Sequence, residues 1–369
     1  MNRLTLCIAG AVSGLLLTAP ILTMAQDNPT ASRSWLENAP PIPEFKPAGT
    51  KKAWEKQRQQ IRQQLWQLLG RLPPRPKTPN VKTIAREDRG EYILEKFQFD
   101  NLAGAVVPGY LLIPKSAAGK SPAILYCHWH GGQYAIGKEE MFQTNALPEA
   151  GGPALARNGF VVCGIDAYCF GERSGKGPGG PSEKGGAEEL SASKFNFWLG
   201  RTLWGMIVRD DLMALDYLCS RPEVDASRIG VTGISMGATR TWWIMALDDR
   251  PKTGVAVACL TRYQDLIRAE GLKYHGIYYF VPGVLNHFDT EAIVALAAPR
   301  PMLFMTGDQD AGSPVAGIRA IEAAVRPVYR VYSAEDAFEN IIYPGLGHVY
   351  TPEMWAKTQS WLERRLKQP

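Results

Sequence analysis

Residues 228–237 read Arg-Ile-Gly-Val-Thr-Gly-Ile-Ser-Met-Gly, and a helical stretch, Met236 to Asp248, continues directly from them. A short apolar strand that breaks straight into a helix must turn sharply at Ser235. Such a turn pushes one side chain into a strained, exposed position, and the flanking Gly233 and Gly237 relieve the crowding. The first amides of the helix have no intrahelical acceptor, so they suit a developing negative charge. A bare Gly-x-Ser-x-Gly means little, because both residues are common. The strand–turn–helix setting is what makes Ser235 a candidate nucleophile, against the alternative of a glycine-rich turn with an incidental serine.

Outward from this stretch the same alternation repeats. EYILEKFQF (91–99) and VVPGYLLIP (106–114) read as an antiparallel pair. AILYCHW (123–129), FVVCGIDAY (160–168), GVAVACL (254–260), PMLFMTG (301–307) and ENIIYP (339–344) read as further short buried strands. Helical stretches are expected at Thr202 to Cys219, Met236 to Asp248, Val315 to Ala324 and Thr351 to Leu366, the last opened by a capping hydroxyl and a proline. Short buried strands alternating with helices predict an α/β fold, a mostly parallel sheet covered on both faces. Two stretches break the pattern. Residues 171–190 are loaded with Gly, Pro and charge and read as a long surface loop. Residues 261–290, rich in Tyr and Phe, read as an insertion over the top of the sheet.

The amino end reads differently. Arg3, the apolar run from Leu4 to Leu22 and Thr23-Met24-Ala25 have the pattern of a cleavable export signal over residues 1–25. The expectation is a secreted or periplasmic protein with no stable membrane insertion after cleavage, the alternative being an uncleaved anchor. Residues 26–89 are expected to form an arm and a helix, Lys51 to Leu69, which RLPPRPKTP ends because proline cannot continue it. Residues 90–369 form the expected catalytic domain. A formal charge of +5, spread along the chain, gives no footprint for a nucleic-acid partner. Removing the leader leaves Cys127, Cys163, Cys169, Cys219 and Cys259, an odd number without a disulfide framework.

A serine hydroxyl needs a base within hydrogen-bond reach. His275, His287 and His348 follow Ser235. His348, in YPGLGHVYTPE between the last strand and the last helix, can swing back over the sheet edge. His275 and His287 fall in the aromatic insertion, where a surface or packing role is favoured over a place in the pocket. An acid that holds the imidazole is expected after PMLFMTG, where Asp308 and Asp310 both stand. Asp308 sits where the chain turns out of the sheet and suits a turn; Asp310, further out, has the reach. His130-Gly131-Gly132, after the strand ending in Trp129, lets the backbone approach a substrate, so the amide of Gly132 or Gln133 could share an oxyanion with that of Met236. A metal pair at His128 and His130 would need a carboxylate at 132 and an imidazole at 133, where Gly132 and Gln133 stand. Neither a metal nor a cofactor is expected. Trp129, Trp204, Tyr278 and Tyr279 are candidates for lining a carbohydrate or aryl pocket, or for packing.

These elements resemble the α/β-hydrolases grouped with dienelactone hydrolases and acetyl xylan esterases. The matching pieces are HGG (130–132), DAYCFGER (166–173), RPEVDASRIGVTGISMG (221–237), TGDQDAGSPV (306–315) and GLGH (345–348). The resemblance covers about residues 90–369. It implies an eight-stranded sheet with its second strand antiparallel, a Ser235–Asp310–His348 triad, the acid being the second aspartate of a Gly-x-x-Asp turn, and no metal. Dienelactone hydrolases proper use cysteine where Ser235 stands, which points towards esters. The implied activity is ester hydrolysis on a small-molecule or polysaccharide substrate. A prolyl oligopeptidase-like peptidase and an inactive binding protein are the alternatives. About 65 residues between the leader and the first expected strand are short for the propeller of the former. Asp166 and Gly171 to Arg173 are expected to stabilise a loop.

Overall fold

A computed structural model describes residues 31–76, 78–116 and 119–367. The leader assigned to residues 1–25 lies outside them. Among the described residues no helix is long and apolar enough to cross a membrane.

Among the described residues nine strands form one sheet: β1 (Val81–Asp88), β2 (Tyr92–Asp100), β3 (Val106–Pro114), β4 (Ser121–Cys127), β5 (Val161–Ile165), β6 (Val224–Ile234), β7 (Thr253–Val257), β8 (Met302–Gly307) and β9 (Phe338–Tyr343). Their order is β1-β2-β3-β5-β4-β6-β7-β8-β9. From β5 to β9 every pairing is parallel, while β3 runs antiparallel to both β2 and β5. The eight strands expected are thus β2 to β9, with the second reversed, and the fold is α/β and mostly parallel. The ninth strand is a correction. β1 falls inside the segment expected to be arm and helix, and it pairs antiparallel with β2 from Val81↔Phe99 to Asp88↔Ile93. Nearly all of it is exposed, so VKTIARED has no buried face and gives no alternation to read.

The α-helices among the described residues are α1 (Ala31–Glu37), α2 (Lys51–Leu69), α3 (Gly151–Arg157), α4 (Gly186–Trp198), α5 (Leu203–Ser220), α6 (Met236–Leu247), α7 (Tyr263–Arg268), α8 (Thr290–Ala295), α9 (Val315–Val331) and α10 (Pro352–Leu366). The buried side chains fall into two clusters, one on each face of the sheet. One gathers α2, α5, α6, α8 and α9; the other gathers α3 and α10. Strands β4, β5, β7 and β8 are buried along their whole length, which is why they read as apolar runs rather than alternations. Helix α2 is capped by Thr50 and buries Trp54, Ile61, Leu65 and Leu69. It is pinned from outside by Arg58 and Arg62, both bonded to Asp249 just beyond α6. Helix α9 extends past the expected stop at Ala324, through Pro327, because its apolar face continues through Val325, Val328 and Tyr329.

The loop expected over 171–190 is only partly a loop. From Gly186 the chain is helix α4, and Glu188 and Glu189 on its first turn are buried. Glu188 accepts from the amides of Gly175 and Lys176, tying the irregular half to the helix. Residues 261–290 do interrupt the alternation, as α7 followed by short 3-10 turns at Gly271–Tyr274, Ile277–Tyr279 and Val284–Asn286.

Candidate active site

Ser235 leaves β6 with φ 59° and ψ −120° and is the N-cap of α6. A non-glycine residue held there stores about 1–3 kcal/mol of strain, which the packing around it must offset. The glycines on either side are required by distance. A Cβ on Gly233 would come within 2.3 Å of the Cys127 carbonyl oxygen, and one on Gly237 within 2.0 Å of the same atom. The amide of Ser235 donates to the Val257 carbonyl at 2.9 Å, and Thr239 N donates to the Ser235 carbonyl at 3.0 Å. The elbow is therefore clamped between β4, β7 and the first turn of α6. Beneath it Arg240 of α6 pairs with Asp211 of α5, Nε–Oδ2 2.9 Å and Nη2–Oδ1 2.5 Å, with both side chains buried.

The loops after β8 and β9 are laced together. Asp308 Oδ1 accepts from the amide of Gly345 at 2.8 Å. Gln309 N donates to the Leu346 carbonyl at 2.8 Å. Asp308 thus joins the two loops. Asp310 instead accepts from His348: Oδ2 lies 2.8 Å from Nδ1, while Oδ1 takes the Gly312 amide at 3.0 Å. With Nδ1–H donating to the carboxylate, the lone pair of His348 is on Nε2. Ser235, Asp310 and His348 line one open cleft of about 540 Å³.

The wall opposite comes from the insertion. His275, Tyr278, Lys273 and Tyr274 line the cleft. His275 donates from Nε2 to the Gly312 carbonyl at 2.9 Å and stacks on Tyr279 at 4.3 Å. Burial pulls its pKa below the ordinary value, so it serves as a neutral donor bracing the turn that carries Asp310. Sequence reading placed His275 among packing residues; its position beside the acid follows from a contact across 37 positions that no local pattern encodes. His287 stays outside the cleft, near Gln64. Cys259 also lines the cleft, and burial pushes its thiol up to about 12.

His130, Gly131 and Gly132 complete the lining. His130 Nδ1 accepts from the Gly132 amide at 3.1 Å, and its Nε2 lies 2.9 Å from Glu189 of α4. Glu189 is buried and also accepts from Tyr134. The Gly132 amide is therefore turned onto an imidazole. Gln133, the other residue considered for the oxyanion, is a correction. Its amide donates to the His130 carbonyl at 2.8 Å, closing a tight turn, and its side chain is exposed outside the cleft. Gly131 has φ 50° and lines the cleft, and no acceptor is bonded to its amide among the described residues. Met236 opens α6 directly after the serine.

Of the aromatic candidates, Tyr278 lines the cleft, stacked on His130 at 5.0 Å. Trp204 and Tyr279 are buried in the core beside it. Trp129 packs under Gly131, whose Cβ would touch its ring at 2.8 Å. His128 is buried with both nitrogens engaged, Nδ1 with the Trp129 carbonyl at 2.7 Å and Nε2 with the Ala167 amide at 3.1 Å. Asp166 accepts from Lys138 N, Lys138 Nζ and Glu172 N, and Arg173 binds the Asp166 carbonyl and Asp210. That part of the chain holds a loop.

A model of the Abhydrolase family matches residues 30–339. YtaP of Bacillus subtilis (strain 168), named as a hydrolase, is 35% identical over 311 residues, which are 84% of this chain and 100% of that protein. A Bacteroides fragilis NCTC 9343 structure, named as an acetyl xylan esterase, superposes with a TM-score of 0.68 at 22% identity, over 84% of this chain and 80% of that one. A glucuronoyl esterase from Solibacter usitatus gives 0.66 at 18% identity, over 88% and 99%. At these identities the two structures speak to the fold, which they share with the sheet described above. The chain belongs to the Abhydrolase family.

Proposed function

We propose that this protein is an exported serine esterase that removes acyl groups, acetyl foremost, from carbohydrate esters through an acyl-enzyme. The observation that carries the reading is the strained Ser235 sharing one cleft with His348, whose Nδ1 lies 2.8 Å from buried Asp310. Ser235 Oγ attacks the ester carbonyl as His348 Nε2 takes its proton, and Asp310 holds the imidazole in one tautomer and stabilises its cation. The oxyanion rests on the amide of Met236 at the start of α6 and on that of Gly131, the glycine of the loop whose amide is free. His348 then hands its proton to the departing alcohol, and water repeats the sequence on the acyl-enzyme. The names of the relatives support a hydrolase, and those of the solved structures support carbohydrate esters. The composition of residues 1–25 supports export. The test is labelling and turnover. A fluorophosphonate should label Ser235 alone. Ser235→Ala should remain folded by circular dichroism and lose about 10⁶ in kcat on p-nitrophenyl acetate and acetylated xylan. Label on another serine, undiminished turnover, or preference for a peptide amide over every ester refutes the reading.

A further inference from the structure

We propose that the cleft selects esters borne on an acidic saccharide, with Lys273 as the residue that recognises the anionic group; the inference rests on the esterase reading and names its substrate class. Two side chains lining the cleft carry a fixed charge, Asp310 and Lys273. The Asp310 carboxylate is consumed by His348 and by the Gly312 amide. Lys273 is exposed, and among the described residues no carboxylate lies within ion-pair distance of it; its contact is the ring of Tyr274, 5.4 Å from Nζ. Glu189, a carboxylate behind the lining and packed against Gly276, is buried and bonded to His130 and Tyr134. The ammonium is thus an unspent cation in the cleft that Ser235 also lines.

Its backbone is held, so it is more than a loose surface lysine. The turn Gly271–Tyr274 is anchored before Lys273 by Gly271, which is buried so tightly that a Cβ would meet Leu266 Cδ1 at 2.4 Å. Two residues after Lys273 it is anchored again by His275, bonded to Gly312 and stacked on Tyr279. Next to the ammonium, Tyr274 is 54% exposed and offers an apolar face on which a sugar ring can lie. A cation and an exposed ring on one fixed turn fit a uronic acid better than a neutral pentose. The carboxylate pairs with Lys273 while the ring covers Tyr274.

The experiment compares acetate release from O-acetylated trigalacturonate and O-acetylated xylotriose, using the full chain with Lys273, Lys273→Gln and Lys273→Arg. The acidic-to-neutral ratio of kcat/KM should fall about two- to fivefold in Lys273→Gln, an amount consistent with one exposed, screened charge pair. It should be largely kept in Lys273→Arg, and raised salt should lower the unmodified protein's ratio towards that of the variant. A ratio unmoved by Lys273→Gln overturns the proposal while leaving the esterase reading intact. If neither ester is cleaved, the esterase reading is decided on p-nitrophenyl acetate and acetylated xylan, and binding decides the inference. Ser235→Ala should then bind trigalacturonate more tightly than xylotriose, and adding Lys273→Gln should remove the preference. No preference, or one that survives the second substitution, overturns it.

Discussion

Glu140 offers a test of how the scaffold under the active site responds to pH. It lies in a 3-10 turn after β4, fully buried, and accepts from the Tyr126 hydroxyl at 2.7 Å and from the Trp129 amide. Burial pushes its pKa from an ordinary 4.5 to about 7, against the pull of those two donors and of the Arg240 charge. In the unfolded chain the same carboxyl titrates near 4.5. Between those values the folded protein binds a proton that the unfolded chain has released, so this group's contribution to stability is full below pH 4.5. It is lost as pH rises to about 7. A displacement of about 2.5 units corresponds to about 3 kcal/mol. Glu140→Gln removes the titration but can keep both contacts, its carbonyl accepting from Trp129 and its amide donating to Tyr126. Urea unfolding of both proteins across pH 4.5 to 7.5 should show the glutamine variant gaining about 3 kcal/mol relative to the unsubstituted chain as pH rises, at unchanged m. A difference independent of pH would refute the reasoning, since it would mean that Glu140 does not change protonation between the two states.

Two further pairs of substitutions separate roles within the site. Asp310→Asn should cost up to about 10⁴ in kcat on p-nitrophenyl acetate by freeing the His348 ring, whereas Asp308→Asn should cost about 1 kcal/mol of stability with kcat largely kept; kinetics and melting on both decide it, and the reverse pattern exchanges their roles. Gly237→Ala should destabilise by about 1–3 kcal/mol or more, because its Cβ would sit 2.0 Å from a backbone oxygen. Gly132→Ala, at φ 70° with open space around it, should cost about 1–2 kcal/mol from backbone conformation alone; melting curves that rank the two the other way would refute the close-approach argument.

The parts of this protein readable from its sequence are those in which local pattern and tertiary role coincide. Ser235 was legible because the strand, the turn and the helix that strain it are contiguous. Helix α2 was legible because Trp54, Ile61, Leu65 and Leu69 follow one helical stripe. Asp308 and Asp310 differ in sequence by their distance from the end of β8 and by place in the Gly-x-x-Asp turn, and that is all the sequence offers for choosing between them. Elsewhere the deciding partner lies far along the chain. Strand β1 is held by its register with β2 rather than by a buried face. Glu188 and Glu189 sit in a glycine-rich, charged stretch that looks solvated, yet they are buried because donors from Gly175, Lys176, Tyr134 and His130 converge on them. A buried carboxylate is tolerable only when paired or hydrogen-bonded, and sequence shows the carboxylate without its partners.

The segment from His128 to Gln133 shows why spacing alone misleads about chemistry. On a continuing strand, residues 128 and 130 would face the same way and could share a ligand. Strand β4 ends at Cys127, however, so the two-residue period stops before either histidine. His128 turns inward, where burial, and then the Arg240 charge, hold its pKa well below the ordinary range. It stays neutral and stitches the Trp129 carbonyl to the Ala167 amide. His130 turns into the cleft, and Glu189 fixes its Nε2–H, which leaves Nδ1 free to accept from Gly132. That acceptance has a consequence for the oxyanion. The Gln133 amide is committed to the turn and the Gly132 amide to the imidazole, while the amide of Gly131, a residue that lines the cleft, has no acceptor among the described residues. The histidine that looked like half of a metal pair is thus better understood as the group that decides which backbone donor the loop can offer.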